Sequence, residues 1–298
     1  MLKAIFSLPY AEHLSFKGGT SLSKCWHLIE RFSEDVDIAI SREFLGFSGE
    51  LSRTQVSDKL RRAACSFVRE TMQYDVREAM IAQGIKEESF SVRVQITPVS
   101  TTDPETIEIE YKSALPENSY IRHCVLIEVS GRSMQEPVRA EHVQSLIDQY
   151  IPQSIVAEST FSLPNVVAPE RTCLEKIFLL HEEFAKPNAD IRVNRMTRHL
   201  YDLYCMKHAG VADRALRDEA LYRAVVEHRR KFINLRDFDY DTLYPKHLSL
   251  EIPADVLDLW RKDYETMQRT MIYGPSVSFD DLLADIRQLN LCIRQLPW

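Results

Sequence analysis

Phe16 to Ile40 reads FKGGTSLSKCWHLIERFSEDVDIAI, and the order of features within it decides the fold. Gly18-Gly19 breaks a short strand expected over Leu14 to Phe16, and Thr20 or Ser21 is placed to cap a helix running to about Glu30. From Asp35 to Ile40 the period changes to two. Val36, Ile38 and Ile40 then fall on one face of a strand, with Asp35 and Asp37 on the other. A Gly-rich turn entering a helix offers unpaired backbone N–H groups and the positive helix end to an anion. Two carboxylates at i and i+2 on a strand project from the same face and can reach metal together. Either feature alone is commonly a plain turn or a solvent-facing strand. Turn, helix and Asp-x-Asp in that order point to metal-assisted transfer from a nucleoside triphosphate, with the amides and hydroxyls of Gly18, Gly19, Thr20 and Ser21 on phosphate.

Outward from this segment, the first half of the chain mixes strands and helices and the second half is mostly helical. A helix is expected over Leu2 to Ser7 and a long one over Arg53 to Gln83. Strands follow over Phe90 to Pro98, Thr106 to Lys112 and Cys124 to Ser130. Glu108 and Glu110 alternate within TIEIEY and read as the solvated face of an edge strand. Pro152, Pro164 and Pro169 punctuate a change of texture, so the boundary is set at 155/156. Helices are expected at 169–185, 192–209, 212–232, 253–271 and 278–293, with Pro169 in a first turn where its missing N–H costs nothing.

The 298 residues are 45% hydrophobic and 27% charged, enough for one or two globular domains with a sizeable core. No stretch reaches the roughly 18 apolar residues of a membrane helix, and the N-terminus lacks a secretory pattern, so a cytoplasmic protein is expected. The six cysteines stand singly, without zinc or disulfide spacing. Net charge is −7, against indiscriminate binding to phosphate backbones. Between Arg192 and Arg236, however, eleven basic residues face five acidic ones, leaving this window at +6 and the rest at −13. That window reads either as a solvated helix face or as a surface for an acidic partner.

FKGGTSL followed by RFSEDVDIAI resembles the signature of the AbiEii/AbiGii toxin group within the DNA polymerase β-like nucleotidyltransferase superfamily. Gly18, Gly19, Thr20, Leu22, Arg31, Ser33, Asp35 and Asp37 carry the match. The resemblance implies an α/β (α+β) fold: a polymerase β-like nucleotidyltransferase domain with a mixed sheet over 1–155. A helical C-terminal domain over 156–298 would complete the active site and bind the acceptor. It also implies a third carboxylate on a later strand, for which Glu128 in VLIEVS stands alone among apolar residues. An unpaired charge there is costly, and a metal or a salt bridge would resolve it.

PERTCLEKIFLL resembles the helix of the family that carries a phosphate-binding lysine, here Lys176. RHLYDL resembles its last acidic motif, with Asp202 in the acidic position and His199 where an acid is usual. The resemblance thus implies Asp35, Asp37, Lys176 and Asp202 as catalytic residues, Asp35, Asp37 and Glu128 as ligands of two Mg²⁺, and Ser33 near phosphate. Asp202 would orient Lys176 or another group of the catalytic site, or else form an ordinary i,i+4 pair with Arg198. The function implied is a toxin of a toxin–antitoxin or abortive-infection system. Such an enzyme moves NMP from NTP to an acceptor hydroxyl, a tRNA 3′ end, with release of pyrophosphate, and is partnered by a cognate antitoxin. A small-molecule or protein nucleotidyltransferase and a catalytically silent interaction module stay open beside it.

Overall fold

The alternation of Asp35–Ile40 puts its valine and isoleucines inside and its two aspartates on a half-buried face, as strand β2. The computed structural model describes residues 1–33, 35–95, 105–113, 123–145 and 160–298. These divide into two compact units: 1–25 with 34–167, and 26–33 with 168–298. The expected boundary at 155/156 falls outside the described residues.

The first unit is a seven-stranded mixed sheet. Its strands are β1 (Leu14–Lys17), β2, β3 (Phe90–Gln95), β4 (Glu105–Tyr111), β5 (Cys124–Ser130), β6 (Val138–Val143) and β7 (Phe161–Val167), in the order β3-β4-β5-β2-β1-β7-β6. β2 runs parallel to β5 and antiparallel to β1, and β1 runs parallel to β7. Val36, Ile38, Ile107, Ile109, Ile127 and Val129 form a buried apolar face. It is covered by a long helical stretch containing α3 (Arg61–Phe67) and α4 (Gln73–Ala82), preceded and separated by π-helical turns at Gln55–Leu60 and Val68–Met72. Arg69 in the second of these turns holds the buried Glu105 on that face, Nε donating to Oε1 at 2.7 Å.

Several expectations need correction. β4 is internal and β3 is the edge, so Glu108 is not solvated: it is 3% exposed and accepts from Arg93 and Gln95. Glu110 is exposed and takes Arg93 at 2.7 Å. β6 and β7 lie beyond the expected strands, and Pro164, read as punctuation near the boundary, falls inside β7. It lies where β7 carries one residue more than β6 between two registered pairs, a bulge that tolerates proline. Residues 96–98 of the third expected strand lie outside the described residues.

The first helices are α1 (Leu2–Ile5) and α2 (Gly18–Lys24). α2 starts at the Gly-Gly pair, two residues before the expected cap, and ends six residues before Glu30. His27, with φ of 50°, leaves helical space, and residues 26–33 continue as an irregular strap.

The second unit contains that strap with α5 (Pro169–Phe184), α6 (Thr197–His208), α7 (Val211–Arg217), α8 (Glu219–His228), α9 (Ala254–Thr270) and α10 (Phe279–Arg294). Pro169 occupies the first turn of α5. The single helix expected over 212–232 is broken at Asp218, whose carboxylate instead caps α8 by accepting from Leu221 N at 2.9 Å. The strap is fastened to the segment after α9: Phe32 N donates to Met271 O at 2.7 Å and Tyr273 N to Glu30 O at 3.0 Å. Trp260 is wholly buried, with its ring 4.9 Å from Phe184. Among the described residues no helix is long and apolar enough to cross a membrane.

Candidate active site

In the sheet unit, β2 projects Asp35 and Asp37 from the face opposite the apolar core. Register decides what stands beside them. Asp37 is paired with Glu128 on β5 and with Lys17 on β1, and Glu128 with Thr106 on β4. Laterally paired residues share a face, so Lys17, Asp37 and Glu128 form a row across three strands, with Asp35 one step along β2. The two carboxylates belong to chain segments 91 positions apart, and only the parallel pairing of β2 with β5 makes them neighbours.

Gly18 explains the Gly-Gly pair. Its φ is +80°, a left-handed backbone that side chains rarely adopt, and a Cβ there would lie 1.8 Å from Asp37 Oδ2. The turn therefore brings bare backbone against the Asp37 carboxylate. Thr20 Oγ1 donates to the Asp35 carbonyl, stitching α2 to β2, and Ser21 Oγ donates to Gly18 O at 2.9 Å. Both hydroxyls point inward, toward backbone. Ser33 is described, half-buried, at the end of the strap.

The donor set of the sheet face is three carboxylates, hard oxygen ligands that suit Mg²⁺. They lie on one face in adjacent register, and Gly18 keeps space for Asp37, so the chemistry of the donors suits such an ion. Among the described residues no three His, Cys, Asp or Glu side chains are already gathered as a metal-ready group.

In the helical unit, Lys176 on α5 and Asp202 on α6 meet within a charged cluster. Asp202 is fully buried and accepts from Arg31 of the strap through two parallel bonds, Nε to Oδ1 and Nη2 to Oδ2, both 2.7 Å. Lys176 Nζ approaches Asp202 Oδ2 at 2.9 Å and donates to His199 Nδ1 at 3.4 Å. The expected alternative, a pair confined to Arg198 and Asp202 along one helix, is not the arrangement of Asp202. α6 itself is anchored by Asp263 of α9, which accepts from Thr197 N at 3.1 Å and Thr197 Oγ1 at 2.5 Å.

The electrostatics follow from burial. Burial alone would raise the Asp202 carboxyl, but the Arg31 and Lys176 charges and hydrogen bonds hold it far below the usual range. Burial pushes Lys176 below the ordinary lysine value, against the opposing pull of Asp202. Burial, then the charges of Lys176 and Arg198, push His199 well below the ordinary histidine value. Arg31, His199 and Lys17 were not singled out as site residues in the sequence. Arg31 and Lys17 lie inside the recognised motif and could have been found there, whereas the contact of His199 with Lys176 leaves no linear signal.

The basic window is also recast. Arg192, Lys207, Arg214, Arg223, Arg229, Arg230 and Arg236 each stand in an ion pair, with Glu183, Asp285, Glu170, Glu219, Glu182, Asp241 and Asp237 respectively. Among the described residues at least seven of the eleven cations thus already face an acid within the same unit.

Comparison with curated proteins gives no match. Comparison with protein families matches residues 1–285 to the family described as "Nucleotidyl transferase AbiEii toxin, Type IV TA system". A mixed sheet followed by helices is the architecture consistent with a nucleotidyltransferase fold. With nearly the whole chain inside that match, the protein belongs to the AbiEii nucleotidyl transferase toxin family of type IV toxin–antitoxin systems.

Proposed function

We propose that the protein transfers a nucleoside monophosphate from an NTP to an acceptor hydroxyl, the 3′ end of a tRNA, and releases pyrophosphate. The observation that carries this reading is the sheet face on which Asp35, Asp37 and Glu128 stand in adjacent register, with the Gly18 backbone against Asp37. Asp35, Asp37 and Glu128 would hold two Mg²⁺, which when bound lower the pKa of an acceptor hydroxyl and neutralise triphosphate charge. Gly18 and Gly19 present backbone to the phosphates. Thr20 and Ser21 lock that turn through their inward hydrogen bonds, and Ser33 lies two residues before the first aspartate. Lys176 supplies a positive charge to the leaving pyrophosphate, and Asp202, itself clamped by Arg31, fixes its direction. The family also supplies the expectation of a cognate antitoxin beside the nucleotide.

The acceptor is open to direct test. Incubating the protein with each labelled NTP, Mg²⁺ and total tRNA, protein extract or small hydroxyl compounds shows where the label goes. Label on RNA supports the proposal, and label confined to small molecules sinks the tRNA assignment. A second reading, transfer to a small molecule or a protein hydroxyl, is favoured by the ion pairing of seven basic residues between Arg192 and Arg236. That pairing leaves less free positive charge for a phosphate backbone than the sequence count suggests. In every version Asp35→Ala and Asp37→Ala abolish label transfer while thermal unfolding stays cooperative. Wild-type turnover in either variant would exclude the metal assignment, and absence of transfer to any acceptor would favour a silent module.

A further inference from the structure

A lysine ammonium has three N–H donors in rotating tetrahedral directions, so where it points depends on how many are already held. Lys176 is 8% exposed, and two of its donors are engaged: one with Asp202 Oδ2 at 2.9 Å, one with His199 Nδ1 at 3.4 Å. Among the described residues the third has no partner. Two fixed bonds define the direction of the third; one would leave the head free to swing about it.

His199 is suited to that second bond for a chemical reason. An acid at this position would place a second anion on Lys176 and cancel the charge that a phosphate should meet. A neutral imidazole accepts the same N–H without cancelling it. The groups facing His199 are Lys176 from α5, Arg31 from the strap, and Arg198 and Asp202 from α6. Three of those four are cationic, so protonating the ring would set cation against cation. The surroundings therefore favour the neutral ring, and in the tautomer with its proton on Nε2 the Nδ1 facing Lys176 accepts.

We propose that His199 is a positioning residue, which holds one N–H of Lys176 and thereby aims the remaining N–H at a phosphate oxygen of the nucleotide or of the released pyrophosphate. This rests on the reading of Lys176 as a phosphate ligand. Its test uses inorganic pyrophosphate with Mg²⁺ and the full chain in a calorimeter, a probe that needs neither the right NTP nor the right acceptor. His199→Leu keeps bulk but removes the acceptor, and weakens pyrophosphate affinity about three- to tenfold, the net worth of one ordinary hydrogen bond. His199→Asn, which offers a neutral oxygen acceptor, recovers most of that loss.

In a double-mutant cycle, His199→Leu has no further effect once Lys176→Ala is present, because there is no ammonium left to aim. Melting curves accompany each variant, and the Asn rescue separates loss of the acceptor from loss of packing. Wild-type affinity in His199→Leu, absence of rescue by Asn, or full additivity with Lys176→Ala each overturns the positioning role while leaving Lys176 a phosphate ligand. Unchanged affinity in Lys176→Ala alone overturns both readings together.

Discussion

Gly18 and Asp202 show how single residues constrain this molecule in opposite ways. Gly18 matters for what it lacks. Gly18→Ala would drive a methyl into Asp37 and force a left-handed φ on a side chain, costing about 1–3 kcal/mol and abolishing transfer. Gly84→Ala is the control: its φ is +86° but nothing lies within 4 Å of the added carbon, so only backbone strain of about 1 kcal/mol is expected. Urea denaturation of the two variants reads the difference as the cost of crowding Asp37. Asp202 matters for its charge. Asp202→Asn leaves Arg31 and Lys176 buried without a counter-ion, a loss of about 3–5 kcal/mol by the same assay.

The titrations have a definite sign. Asp202 is depressed in the folded state, so its contribution is complete above the unfolded value of about 4 and fades only as pH falls through its lower folded value. His199 and His181 are depressed by burial, so the unfolded chain gains protons at about pH 6.5 that the folded chain refuses. Stability should therefore drop between pH 7.5 and 5.5, with a smaller drop in His199→Asn; equal drops in Tm would show that His199 titrates normally.

At the scale of elements, boundaries depend on caps. Ser278 Oγ accepts from Asp281 N at 3.2 Å at the start of α10, and Ser278→Ala should cost about 1 kcal/mol in denaturant melts without touching activity. Elements with a clean period were legible in the sequence: β2 from its alternation, and α5, α9 and α10 to within a residue or two at each end. The local face shared by Asp35 and Asp37 was legible for the same reason. What no period encodes is register across distance. Nothing near Glu128 says that it pairs with Asp37, and nothing near Asp202 says that it takes Arg31, 171 positions earlier, instead of Arg198 four positions away. Pro164 reads as punctuation near a boundary, whereas it sits in β7 at a bulge that only the partner strand defines. The early end of α2 was lost because its last residues carry no stop signal before His27 adopts a positive φ.

Over the whole molecule, charge counted along the chain and charge presented to a partner are different quantities. The window from Arg192 to Arg236 is +6 by sequence, yet most of its cations are paired with acids of the helical unit. If tRNA is the acceptor, its affinity should fall nearer tenfold between 50 and 200 mM salt than the roughly 10³–10⁵ that six to ten phosphate contacts produce. Fluorescence anisotropy across that range measures the slope, and a steep one would mean these pairs open when RNA binds.

The strap bears on how such a toxin is born. Arg31 leaves the ribosome long before Asp202, which at roughly 5–20 residues per second is a wait on the order of ten seconds or more. A chain released before α6 is complete has the whole Gly-Gly and Asp-x-Asp segment but lacks the Asp202 carboxylate that takes Arg31 and Lys176. If Lys176 and Asp202 act as proposed, products terminated before α6 would thus be inactive, and transfer would require a chain that extends through that helix.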